Sequence, residues 1–493
     1  MAEIAVIGAG MGAMAAAARL ATAGHRVTVY ERGDTHGGAV RRLARDGFGF
    51  DTGPGLLHLP AVYRDLFLKT GKRPLEECVR TSALDPALRH VFPDGTSVTL
   101  PAARGGVITA LDAALGPAAG REWAELVNRG REVWDATRRP LLEEPLGDAA
   151  RGLAEDPYPP VEARGGLLRR RRPMRARTLH QIRREQLGDE RLGAMLAGEA
   201  LAYGFDPARA PAAAVVLPYL RQTFGSWYVE GGLRALADAL YERCRERRVS
   251  FSFGAEVSAV LAEGGRAAGV EFADGSTAVA DHVVAGVPPR TLTALGDDAP
   301  GPVDMPGRVV VCLALRGARP DDAVHHTVVH SPDPAAEASW VFGTGDAPDA
   351  PSVTVLRPDD PTQRPDGAHE AVTLTAVVPT GADWDRQQTA EAFADRMTRV
   401  AEAAVPGLRE RVLWREVRTP ADTARETGTA AVPGPALAGA GGAYLARGNT
   451  TPLPGLYAVG GWSHPGGGLP HAGMSGALVA GLIVEGADFR GSR

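Results

Sequence analysis

The sequence predicts an α/β fold: a Rossmann-like parallel sheet with helices on both faces, interleaved with a mixed-sheet and helical unit. Three observations carry this. The chain opens with a strand, a glycine-rich turn, an alanine-rich helix and a second strand, all within residues 4–31. Further strand-like runs at 281–286 and 454–461 also end in glycine, as strands returning to the same sheet do. The 493 residues are too many for one small core.

Ile4-Ala5-Val6-Ile7 is a short apolar run of the kind buried parallel strands need. It feeds directly into Gly8-Ala9-Gly10-Met11-Gly12-Ala13. An Ala-rich helix follows to Ala23 and Gly24, then the strand His25–Tyr30, with Glu31 at its end. Each position has a physical reason. Gly8 permits the tight turn, Gly10 lets backbone approach a diphosphate, and Ala13 keeps the helix close to the strand. The first-turn amides of Met11 and Gly12 and the positive helix end attract the anion. Glu31 accepts hydrogen bonds from ribose hydroxyls and repels a 2′-phosphate. Arg32 and the pair Gly37-Gly38 follow, an extension seen in flavin-binding chains. Phe48–Pro54 then reads as a strand ending in a tight turn at Gly53-Pro54, which would run close to an isoalloxazine.

The middle is less regular. Asp94-Gly95 marks a hairpin, and Trp123 to Trp134 has helical spacing. Arg164 to Arg184 is strongly basic, with Arg169 to Arg172 consecutive. A solvated face is the plain reading, and a surface drawn to anionic headgroups the functional one. A strand is expected over Phe224–Val229, closed by Gly231-Gly232, then an amphipathic helix over Leu233–Arg247. Val257 opens a further strand, and similarity to two-domain flavoproteins implies that backbone at this position would clamp an adenine. Strands over 308–315, 352–356 and 371–378 precede a long helix over Gln387–Val405. His325, His326 and His330 are expected as exposed strand histidines, because no carboxylate or cysteine is spaced to complete a metal site. Gly439–Gly442 reads as a loop, since it lacks a preceding apolar strand.

Near the C-terminus a strand ends at Gly460-Gly461, then Trp462–Pro470 forms a tight loop and a helix begins near His471. Gly467, Gly468 and Leu469 would present that helix N-terminus to a flavin edge, stabilising negative charge there.

Taken together, Gly8–Glu31, Gly37-Gly38, Asp51–Pro54, Glu230–Gly232 and His464–Gly468 resemble, in order and spacing, the bacterial phytoene desaturase family. The resemblance covers roughly residues 1–70, 222–290 and 415–485. It implies FAD as cofactor, a long lipophilic polyene as substrate, and hydride transfer from an allylic carbon to flavin. It places His464 and His471 beside the flavin as candidate proton acceptors. Ala39 stands where the family has a basic residue, and Arg41 or Arg42 would substitute. The expected division is an FAD-binding domain over 1–75, 222–290 and 415–493, with a substrate domain over 76–221 and 291–414. Redox-coupled tailoring of another polyene, such as a polycyclic tetramate macrolactam, stays open beside desaturation. Amine oxidation and non-catalytic prenyl-chain carriage share the N-terminal motif.

Composition excludes several classes. The formal charge of −5 gives no basis for nucleic-acid binding. Only Lys69 and Lys72 are lysines, so the cationic charge is almost all arginine. The three cysteines are scattered, which argues against disulfides or a thiolate metal site. No apolar run reaches the roughly 18 residues of a membrane span, and no signal sequence is evident. The expected location is cytoplasmic, with residues 164–184 as the contact if the protein sits peripherally on the inner face of the membrane.

Overall fold

The computed structural model describes residues 1–147, 149–162, 173–174, 177–295, 305–343 and 345–491. Its organising element is a five-stranded sheet in the order Ser250–Phe253, Arg26–Glu31, Glu3–Ile7, His282–Ala285, Leu456–Ala458. Every neighbouring pair in it is parallel. The apolar run at 4–7 serves both faces. Ile4 and Val6 enter one core with the first helix, while Ala5 and Ile7 enter another on the opposite side. That two-sided burial is why the strand shows no polar alternation.

The helix Met11–Thr22 is alanine-rich because it is crowded. Ala13, Ala15, Ala16, Ala17 and Ala18 are all buried, and the C-terminal helix Leu469–Val484 lies against it. A Cβ on Gly476 would sit 2.7 Å from the Gly12 carbonyl oxygen and from the Ala16 nitrogen, so the two helices approach at backbone distance.

The second large sheet has seven strands, in the order Val412–Arg418, Gly307–Arg316, His369–Val378, Val353–Leu356, His326–Val329, Leu88–Val91, Ser97–Leu100. Only the His326–Val329 pairing with Leu88–Val91 is parallel. Strict alternation gives its two faces different chemistry. Val309, Val311, Val355, Val372 and Leu374 pack with Phe393 and Met397 of the helix Gln387–Ala401. Thr354, Thr373 and Thr375 point the other way, into a cavity. Across that cavity stand the helices Ala119–Arg138, Glu190–Ala202 and Val216–Phe224, which share an apolar core.

Several expectations are corrected. The strand expected from Phe224 begins at Ser226, and Phe224 closes the preceding helix. The helix from Gln387 ends at Ala401 rather than Val405, ahead of Pro406. The histidines at 325–330 are not exposed. Their strand lies inside the sheet, flanked on both sides, and His326 and His330 face the cavity. Of the basic stretch, Arg164 to Arg172 lies outside the described residues; Leu179–Gln186 is a helix started by a Thr178–Gln181 capping box.

Candidate active site

A cavity of about 640 Å³ runs from the first glycine turn to the space between the helices and the threonine-lined sheet face. The cradle end is built by backbone. Gly8 has φ +87° and donates its amide to the Tyr30 carbonyl at 2.8 Å. Gly37 donates to the Ala9 carbonyl at 2.8 Å. A Cβ on Gly38 would lie 3.0 Å from the Gly10 Cα, so only glycine lets these two turns close on each other. Gly10 differs: nothing lies within 4 Å of where its Cβ would stand. This leaves open space on the cavity side of the helix N-terminus. Gly10 caps the first helix without a side-chain acceptor, so the amides of Met11, Gly12 and Ala13 have no intrahelical partner.

Glu31 is buried at the rim. Its two oxygens accept from the Ala9 and Gly33 amides, each at 2.8 Å. Each oxygen keeps further lone-pair capacity toward the cavity. Arg32, Arg41, Gly53, Pro54 and Val257 also line this end. Arg41 donates to the Gly38 carbonyl at 3.1 Å, whereas Arg42 turns away to Thr362. Arg41, which also pairs with Glu426 at 3.8 Å, thus lies beside the glycine pair where Arg42 does not.

Two sequence blocks prove to be one structural device. Asp51 accepts from the Leu233 and Arg234 amides, at 2.9 and 3.3 Å, at the N-terminus of the helix Leu233–Glu246. Burial raises its pKa to about 6. Gly232 must be glycine there, because a Cβ would meet the Asp51 carboxylate at 2.7 Å.

At the C-terminal side Gly460, Gly461, Gly468, Leu469 and His471 line the cavity. Asn449 donates to the Ala458 and His464 carbonyls at 3.1 and 2.9 Å, and Gly460 donates to Ser475 at 3.0 Å. This buried network fixes the loop before the helix. Two assignments move. Gly467 does not line the cavity: the Pro433 carbonyl fills the place a Cβ would take. His464 is fully buried outside the cavity, with Nε2 donating to the Glu144 carbonyl at 3.0 Å. It anchors the loop and touches no open space. Burial lowers its pKa, and that of His471, to about 4. Of the two candidates, only His471 reaches the cavity.

The far end holds residues that sequence reasoning missed: His58, His90, Glu199 and Arg221, with His326 and His330. They come from five separate segments, and no local spacing signals their meeting. Arg221 and Glu199 form a largely buried ion pair at 2.8 Å.

The flavin-containing amine oxidoreductase family model matches residues 14–484. The chain belongs to that family. Relatives similar in sequence match over the full length. A hydroxyneurosporene desaturase of Cereibacter sphaeroides is 30% identical, covering 98% of this chain and 97% of its own. A 4,4′-diapolycopene oxygenase of Methylomonas is 29% identical, covering 98% of each. A zeta-carotene-forming phytoene desaturase of Myxococcus xanthus is 29% identical, over 99% and 95%. Among solved structures, a putrescine oxidase superposes with TM-score 0.65 at 15% identity, covering 98% and 99%. An oxidoreductase of Methanosarcina mazei gives 0.62 at 18%, covering 97% and 99%. These structures share the fold. This flavin-containing amine oxidoreductase is thus an FAD-dependent enzyme, and the cradle fits that cofactor: uncapped amides, open space at Gly10 and a rim carboxylate.

Proposed function

We propose that this oxidoreductase desaturates a long lipophilic polyene. The observation that carries the reading is the chamber continuous with the cradle, walled by Trp134, Leu141, Leu142, Met195, Leu217 and Leu220. Such a wall suits a hydrocarbon chain. The full-length likeness to polyene desaturases and oxygenases supports it. At the far end of the chamber the Glu199 carboxylate is already paired with Arg221, so it is not free to hold an ammonium group.

When bound, FAD supplies a two-electron hydride acceptor; desaturation removes a hydride from one carbon and a proton from its neighbour, leaving a C=C bond. Gly10, Gly38 and the amides of Met11 to Ala13 would hold the diphosphate, Glu31 the ribose, and Arg41 the adjoining negative charge. The helix N-terminus at Gly468-Leu469 would face the reducible end of the cofactor. The chain's main contribution is position, holding the donor carbon about 3–3.5 Å from its acceptor in a dry chamber. His471, kept neutral by burial, is the side chain placed to take the proton.

Anaerobic mixing with phytoene should bleach the flavin absorbance, while putrescine should leave it unchanged. Bleaching by putrescine alone would reverse the assignment. The lipophilic substrate also favours a peripheral membrane contact, for which the exposed Arg177 and Arg184 are described candidates. Co-sedimentation with anionic liposomes should fall as salt rises; salt-independent partition would remove that contact.

A further inference from the structure

We infer that the chamber holds an oxyanion subsite, Arg308 with Tyr203, for a carboxylate carried by the polyene. This deepens the polyene reading and rests on it. Arg308 lies near the start of the strand Gly307–Arg316 and lines the cavity. It pairs with Val377 on the neighbouring strand, which sets Thr375 diagonally beside it on the same wall. Its Nη2 donates to the Ala202 carbonyl at 2.6 Å, at the end of the helix Glu190–Ala202. A guanidinium carries five N–H groups. The others have no acceptor among the described residues. They are not sealed away: the side chain is half-buried, and no Arg308 nitrogen lacks both a partner and accessible surface. The Tyr203 hydroxyl, on the same wall, is also without a partner among the described residues and also accessible.

What sets Arg308 apart is the lack of an acid. Arg138, Arg221 and Arg418 on the cavity wall pair with Glu143, Glu199 and Glu426. Arg32 has no carboxylate partner among the described residues either, but it stands at the cradle end beside Glu31. Arg308 stands in the chamber. Burial lowers its pKa to about 10, and no carboxylate offsets the effect. A desolvated cation without a counter-charge is costly to keep. A hydrocarbon cannot balance it, and a neutral oxygen group leaves the charge standing. A phosphate monoester brings nearly two negative charges against one positive. A carboxylate brings one charge and two acceptor oxygens, which suits a guanidinium and one hydroxyl donor. Burial pushes the Tyr203 phenol up, so its O–H stays a donor. Holding the acid at Arg308 also gives direction, because it fixes which carbon of the chain reaches the cradle. The reduced flavin is the other anion in this cavity, and the test separates the two.

The test measures binding to the flavin-loaded protein by the shift of polyene absorbance, using 8′-apo-β-carotenoic acid and its ethyl ester at neutral pH. The acid should bind at least about tenfold more tightly than the ester, the value of one charge-assisted hydrogen bond. In Arg308→Gln that preference should collapse toward unity, with the ester bound as before. Arg308→Lys restores the charge without the planar fork and should recover part of the preference. Tyr203→Phe should weaken the acid by roughly threefold or more and leave the ester unchanged; these two variants guard against misfolding of the first. Equal binding of acid and ester to the wild-type protein would overturn the subsite, and bleaching by phytoene would leave polyene desaturation standing. A preference unchanged in Arg308→Gln would overturn it as well. A wild-type protein without preference, whose flavin reduction potential falls in Arg308→Gln, would assign the cation to the cofactor instead. Binding of neither chain, with no bleaching by phytoene, would overturn both readings.

Discussion

The cradle and the chamber are two ends of one cavity, built on opposite principles. The cradle is made of backbone, from glycines whose missing side chains set distances: Gly38 against Gly10, Gly12 against Gly460. The chamber is made of side chains from distant segments, with apolar helices on one side and a threonine- and histidine-bearing sheet face on the other. The difference teaches where each kind of function resides. A diphosphate is recognised by amides, which any sequence possesses once the backbone is shaped. A substrate is recognised by side chains, which the fold must gather.

The comparison breaks most severely at Gly10. A Cβ there meets no atom of another segment within 4 Å, and the methyl groups of valine would fill the open space beside the helix N-terminus. Gly10→Val should fold with nearly unchanged thermal stability and purify without flavin absorbance; flavin retained in the variant would displace the diphosphate from this turn. Gly12→Val should instead destabilise the fold itself. Its Cβ would press on the Gly460 Cα at 2.7 Å and on the Ala472 carbonyl at 2.9 Å, an overpacking worth about 1–3 kcal/mol or more. Denaturant midpoints for the two variants separate ligand clash from backbone clash.

Glu31→Ala should weaken FAD by about 1.5–3 kcal/mol, because the ribose hydroxyls lose a charged acceptor. The Ala9 and Gly33 amides lose theirs too. Equilibrium dialysis against free FAD measures this, and an unchanged affinity would remove Glu31 from the site.

Three buried histidines, of which His464 lies outside the cavity, should make the stability of the fold respond to pH. His330, His464 and His471 titrate at about 4 in the folded chain against 6.5 when unfolded. The unfolded chain therefore binds more protons between those values. The stability linked to these groups is complete above about 6.5 and is lost as pH falls toward 4. Each histidine contributes at most about 1.4 kcal/mol of that loss for every pH unit crossed. Urea midpoints should drop across that window, and His464→Gln should flatten the drop. A midpoint independent of pH from 6.5 to 4 would contradict neutral burial of these imidazoles.

The smallest effect belongs to the sheet face. Thr375→Val, on the cavity side, should change stability by less than about 1 kcal/mol and leave FAD affinity untouched, altering only the KM for polyene. Leu374→Ala, one residue away on the opposite face, should cost about 2–5 kcal/mol. Equal costs at the two positions would show that the two-faced reading of this sheet is wrong.

What was legible in the sequence is what depends on local geometry. A turn that needs glycine, a strand apolar on both faces and an acid at a strand end are written within about thirty residues, so the fold class and most of the cradle could be read. The same local logic misplaced His464 and Gly467. A histidine beside a flavin-facing helix and one buried against the Glu144 carbonyl look alike without the 320 residues of chain that bring Glu144 over. The exposed reading of the histidines at 325–330 failed for a related reason. Whether a strand is at an edge or inside a sheet depends on its neighbours, here Leu88–Val91 from more than two hundred residues away. Sequence alone determined where the backbone must come close to a ligand, because that demand falls on single residues and their immediate neighbours. Tertiary structure alone decided which polar side chains share the chamber, because their meeting depends on long-range pairing that no short stretch of chain encodes.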